Sequence, residues 1–242
     1  NGGGGFRFDR MQPHIPEDVR FVAPTLPGFA DAPADPNLKT MRDYATYIHG
    51  WVKAEQAPVV LLGTGIGGSF LLEYIQHYTA AGVIFHAPVG TRLDSRRFPW
   101  LMKLPGMRGL GKTMIASPLT RGMFKRLLFV DHHAIPGDYL NRFFDEYRQC
   151  AVFGQMFDII TADWYNALQP VNIPAALLWG ADERVLSAKH IQDYQQLLPQ
   201  STVRVVDGWD HFPMIEQPIA YAAEVVALAR QLVPQTINHA EK

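Results

Sequence analysis

Chemistry in this chain has few places to reside. The run Val59-Val60-Leu61-Leu62-Gly63-Thr64-Gly65-Ile66-Gly67-Gly68 passes from an apolar stretch through glycines into a helical pattern. A glycine turn ahead of a helix can bring backbone N–H groups to an anion, but this one lacks the Lys-Ser/Thr of a phosphate loop, and it fits a dinucleotide turn poorly. His211 lies in Asp207-Gly208-Trp209-Asp210-His211-Phe212-Pro213, and the neighbouring acids Asp182 and Glu183 come after Ala175-Ala176-Leu177-Leu178-Trp179-Gly180-Ala181. A histidine is the side chain best matched to general acid–base work near neutral pH, and a carboxylate can orient it. Either can equally be a solvated loop residue, Glu183 beside Arg184 for instance. Adjacent His132-His133 diverge in most backbones and have no carboxylate at ligand spacing, so they read as surface, and no metal site is expected. Cys150, the single cysteine, reads as core, because no base is patterned near it.

The elements that must position these groups alternate. Val19–Ala23, Val59–Leu62, Gly82–His86, Ala175–Trp179 and Thr202–Val206 read as buried parallel strands. Met41–Glu55, Gly67–Tyr78 and the stretch after Pro218 carry helical stripes, the last with Ile219, Ala222, Val225, Val226 and Ala229 on one side. Alternation implies a parallel sheet covered on both faces, an α/β fold. From 91 to 169 there are helical patterns and no strand, a block too long for an ordinary crossover. The expected organisation is a core of 1–90 and 170–242 carrying a helical cap at 91–169.

The 242 residues are 48% hydrophobic and 12% aromatic, with 22 basic against 23 acidic side chains. That composition disfavours disorder and gives no global attraction to nucleic acid. A lone cysteine excludes an intrachain disulfide and favours a reducing compartment, so a cytoplasmic location is expected. No apolar run approaches the roughly 20 residues of a membrane helix. Between Arg92 and Arg126 the only acid is Asp94 among many basic residues. Attraction of an anionic substrate or a lipid surface by this stretch is one reading. The favoured one is a solvated cap face with its apolar side on the core.

Three segments, in order, resemble the α/β-hydrolase superfamily. Gly63-Thr64-Gly65-Ile66-Gly67 resembles its nucleophile elbow, G-x-S-x-G between strand and helix. Aligned on Gly63 and Gly67, the nucleophile position is Gly65, where the family has serine. Thr64 points away from such a tip and Ser69 lies on the helix beyond it, so neither replaces the serine. Ile173-Pro174 through Glu183 is similar to the segment carrying the family's acid, which places the acid at Glu183, with Asp182 competing and Asp94 after the preceding strand as a remoter choice. The His211 loop resembles the family's histidine loop and makes His211 the base. Ala23-Pro24-Thr25-Leu26-Pro27-Gly28-Phe29-Ala30 resembles the loop after the family's fourth strand, although Ala30 and Ala32 stand where Gly and Ser are usual. Asn1-Gly2-Gly3 resembles the residues just after the family's His-Gly motif, which implies an oxyanion hole from the Asn1 and Ile66 amides. The same resemblance places an interior strand before Asn1, so the N-terminal strands are expected to be missing from this sequence.

The implied fold is an α/β-hydrolase fold, a mostly parallel sheet flanked by helices with a lid insertion. The implied function is hydrolysis of small ester-like or carbonyl substrates, with serine chemistry lost or knocked out at Gly65. Two other expectations stand beside it: a nucleophile-free His211–Glu183 dyad that abstracts a proton or activates water, and a non-catalytic ligand-binding relative. A small-molecule substrate and no cofactor are expected, and the oligomeric state stays open.

Overall fold

The structure is a computed structural model that describes residues 2–93 and 100–233. Its sheet has the strands β1 (Val60–Thr64), β2 (Gly82–His86), β3 (Ala175–Gly180) and β4 (Thr202–Val206), in that spatial order and all parallel. Side chains alternate between the faces of a strand, so a strand buried at every position must be covered on both. β2 and β3 are buried throughout. Helices α1 (Met41–Val52), α2 (Ile66–Tyr74), α8 (Ile191–Leu197), α9 (Pro213–Glu216) and α10 (Pro218–Leu232) belong to this layered unit. Between β2 and β3 lie α3 (Met107–Ala116), α4 (Arg121–Leu128), α5 (Gly137–Gln149), α6 (Met156–Ile159) and α7 (Ala162–Ala167), with no strand among the described residues.

α1 begins at Met41 because Thr40 and Asp43 form a capping box, each side chain accepting the other's backbone N–H. It packs on α2 through stacked Tyr44 and Phe70, centroids 4.4 Å apart, with Phe29 edge-on to both. α2 ends four residues before the expected Tyr78, where Gln76 and His77 turn their amides to Glu73 and Tyr74.

Two expected strands need correction. Val19–Ala23 is not a strand, because an extended run becomes one only beside a hydrogen-bonding partner, and no strand precedes β1 among the described residues. Thr202–Val206 is a strand but not a buried one: β4 is the sheet edge, with Val203 37% and Val205 43% exposed.

The inserted helices depart from the sequence reading in another way. Met102, Ala116, Leu128 and Phe129 do face the core. Yet eight of the fourteen exposed large hydrophobic residues among the described residues lie between Trp100 and Val130, so the apolar side of this stretch is only partly on the core. No described helix is long and apolar enough to cross a membrane.

Candidate active site

Gly65 stands between β1 and α2 with φ +52° and ψ −115°, a conformation that side-chain-bearing residues adopt only at a cost of roughly 1–3 kcal/mol. Its amide donates to the His86 carbonyl at 3.1 Å and its carbonyl accepts from Val89 at 3.0 Å, which locks the turn onto the end of β2. A Cβ built here has one neighbour within 4 Å, His211 Nε2 at 4.0 Å. The tip is therefore open in front of the histidine.

The other ring nitrogen of His211, Nδ1, is 2.7 Å from Glu183 Oε2. The remaining Glu183 oxygen accepts from the Val185 and Leu186 amides at 2.7 and 2.9 Å. Burial pushes this carboxyl up, but His211 and the amides outweigh burial and hold it below the usual carboxylate range. Glu183 is thus a fixed, ionised partner for the imidazole. Its neighbour Asp182 is exposed and has no side-chain bond to His211. Asp94 and Asn1 lie outside the described residues. Ile66 is the first residue of α2, so its amide has no intrahelical acceptor and faces the turn at Gly65. Ser69 is buried and gives its hydroxyl to the Val89 carbonyl at 2.6 Å. His132 and His133 sit on a short 3-10 turn, and no cluster of metal-ligating residues occurs among the described residues. Cys150 is fully buried.

Several site residues escape a sequence reading. Asp210, fully buried, accepts the amides of both His211 (2.9 Å) and Arg184 (3.1 Å) on Oδ1, and the Arg184 guanidinium on Oδ2. One carboxylate thereby ties the loop of Glu183 to the loop of His211. Arg184 also donates to the Arg126 and Phe129 carbonyls, and Glu216 accepts the Val130 and Asp131 amides, so the end of α4 is seated on the same loops. Only its place beside His211 hints at Asp210 in the sequence.

Arg7 is the second such residue. It is buried against Phe143, Tyr147 and Phe212, the residue after His211, and its Nε donates to Glu146 Oε2 at 3.2 Å. Gly4 donates to the same oxygen, and a Cβ at Gly3 would overlap the guanidinium at 1.7 Å, so the glycine run is shaped to this cation. Burial raises the Glu146 carboxyl despite Arg7 beside it. Removing one member of a buried ion pair leaves the other uncompensated. Arg7→Met should therefore cost about 3–5 kcal/mol of stability in urea unfolding; an unchanged midpoint and slope would show that the pair holds nothing.

His86, at the end of β2, accepts or donates at Nδ1 with Tyr221 (3.2 Å), while its Nε2 has no protein partner. Burial, with His211 nearby, lowers it to about 3. A histidine kept neutral in the fold favours the unfolded chain once that chain is protonated, so its contribution is complete above the unfolded value and is lost as pH falls toward the folded one. Between pH 7 and pH 5 this amounts to about 2 kcal/mol. Urea unfolding of His86→Leu should show that much less pH dependence than the parent; an identical dependence would overturn the assignment.

The sequence pattern described as "Alpha/beta hydrolase family" matches residues 1–224. A protein described as "Putative hydrolase LipZ" from Mycobacterium tuberculosis, found in two strains, is 29% identical over 65 residues, 27% of this chain and 23% of that protein. The chain therefore aligns with less than a quarter of the length of those curated relatives. Among solved structures, a thermophilic esterase from Thermogutta terrifontis superposes with TM-score 0.68 at 17% identity, covering 96% of this chain and 87% of its own. A methionine-to-alanine variant of an epoxide hydrolase from Bacillus megaterium gives 0.74 at 11%, covering 94% and 89%. A serine-to-glycine variant of the N-acyl homoserine lactonase AidH, complexed with N-hexanoyl homoserine lactone, gives 0.66 at 18%, covering 96% and 88%. These structures share the fold, and the sequence match extends across nearly the whole chain. The protein belongs to the alpha/beta hydrolase family.

Proposed function

We propose that this chain is a hydrolase of small ester-like or carbonyl substrates in which serine chemistry is lost or knocked out at Gly65. The observation that carries the reading is the line from position 65 to His211 Nε2, 4.0 Å from a built Cβ, and on through Nδ1 to Glu183. With serine at 65, its Oγ attacks the substrate carbonyl while His211 Nε2 takes the proton and Glu183 stabilises the imidazolium. The amides of Ile66 and Asn1 hold the oxyanion, the leaving group departs with the proton from His211, and a water that His211 then deprotonates cleaves the acyl-enzyme and frees the serine. Residues 91–169 act as the cap that shapes the pocket. Glycine offers nothing to attack with, so the acyl-enzyme route through this position is closed in the chain as it stands.

The experiment is hydrolysis of a short-chain p-nitrophenyl ester at pH 7–8 by the parent and by Gly65→Ser, side by side. Turnover confined to the serine variant supports the reading, and a folded serine variant that stays inactive overturns it.

A second reading rests on the open space before His211 Nε2. A histidine oriented by Glu183 can deprotonate a substrate or a water without any nucleophile. Activity of the parent that His211→Ala abolishes favours this reading. Ligand binding indifferent to His211→Ala favours a non-catalytic relative instead, a role consistent with the serine-to-glycine lactonase variant that holds its acyl lactone.

A further inference from the structure

We propose that the outward face of α3, α4 and their connection docks on an anionic lipid surface. On α3, Leu110 and Met114 are spaced one turn apart and are 50% and 40% exposed. On α4, Met123 and Leu127 repeat that spacing, and Val130, two residues past the helix, is 51% exposed. Leu119, in the connection between the helices, is 96% exposed. Apolar side chains in such density rarely face water alone, and they mark a surface that meets something apolar.

Charge identifies what it meets. From 95 to 130 the sequence contains eight Lys or Arg residues and no Asp or Glu. Arg108 and Arg121 are engaged by Asp158 and Asp145 from other helices. Lys103, Lys125 and Arg126 have no ion pair among the described residues, and Arg126 is exposed. Lys112 donates to the Cys150 carbonyl and Arg148 to the Ala116 carbonyl, so both are also held by the protein. Exposed cations beside exposed Leu and Met side chains suit an anionic headgroup layer with its acyl chains beneath. A neutral apolar partner would leave these cations uncompensated, and a second copy of the face would set like charges together. The contact lies in the interface plane, with these apolar side chains at the acyl boundary. The end of α4 is tied to the Glu183 and His211 loops through Arg184 and Glu216, so docking fixes the candidate site relative to the lipid.

The test is co-sedimentation of the whole chain with phosphatidylcholine vesicles, with and without phosphatidylglycerol, at low and high salt. It needs no enzymatic activity, so its outcome is independent of the hydrolase reading. Basic residues near an anionic surface contribute about 1 kcal/mol each, a factor of about five. Binding is therefore expected to the mixed vesicles, at least tenfold weaker to phosphatidylcholine alone, and weakened by salt. Reversal of Lys103 and Arg126, both exposed, to Glu should lower binding more than tenfold, and Leu119→Ser should lower it severalfold. Leu119 is nearly free of contacts, so its variant keeps the fold and the test decisive. No sedimentation, indifference to phosphatidylglycerol, or self-association that the Leu119→Ser variant abolishes without any vesicle binding would each overturn the proposal.

Discussion

Gly65→Ser should release p-nitrophenol in a burst followed by steady turnover, while the parent should stay at the rate of buffer. A serine Oγ extends one bond from a Cβ that already lies 4.0 Å from His211 Nε2, which brings it into hydrogen-bonding reach without moving the loop. Loss of the nucleophile alone costs serine hydrolases about 10⁶ in kcat, so its restoration to an assembled acid–base pair should raise turnover by three orders of magnitude or more, on the order of 10³–10⁶. The same substitution has a cost. At φ +52° a side chain is strained, and stability should fall by about 1–3 kcal/mol. Urea unfolding measures the loss. A gain of activity with a fall in stability is the expected pair of results; a folded, inactive serine variant would mean that the oxyanion donors or the pocket are not in place.

Glu183→Gln, made in the Gly65→Ser protein, should lower kcat by about 10⁴ with KM little changed. The carboxylate does more than sit near the ring. Its two oxygens divide their work, one on His211 Nδ1 and the other on the Val185 and Leu186 amides. That arrangement selects the tautomer with the proton on Nδ1 and leaves Nε2 free to accept. A glutamine keeps the shape but can turn its NH₂ to Nδ1, which moves the ring proton to Nε2 and removes the acceptor that the serine needs. Asp182→Asn is the control, one residue away and exposed, and should leave kcat within about twofold, a range typical of exposed substitutions. If the two variants lose activity equally, the acid is not Glu183. Because the Glu183 carboxyl is held below its ordinary range, its contribution to stability is present above the unfolded value and is lost as pH falls through the folded one.

Part of the fold and of the candidate site is legible in the sequence alone. Gly82–His86 and Ala175–Trp179 stand out because a strand buried on both faces is apolar at nearly every position, His86 being the exception, a pattern with short, sharp ends. The glycine turn, Glu183 and His211, each beyond a strand, are readable through their resemblance to motifs of the α/β-hydrolase superfamily. Val19–Ala23 has a strand's composition but no strand partner, and pairing is a property of neighbours in space.

The sequence by itself determined the class of fold, the order of the candidate groups and the absence of a serine at position 65. Tertiary structure alone decided the rest. Arg7 meets Glu146 across 139 positions and His86 meets Tyr221 across 135, and no local rule links residues so far apart. Asp210 gains its place only when two loops converge. The outward stripe of α3 and α4 shows the same limit. Helical periodicity reveals that a helix has an apolar side, but which side faces the protein depends on the space the other elements leave beside it.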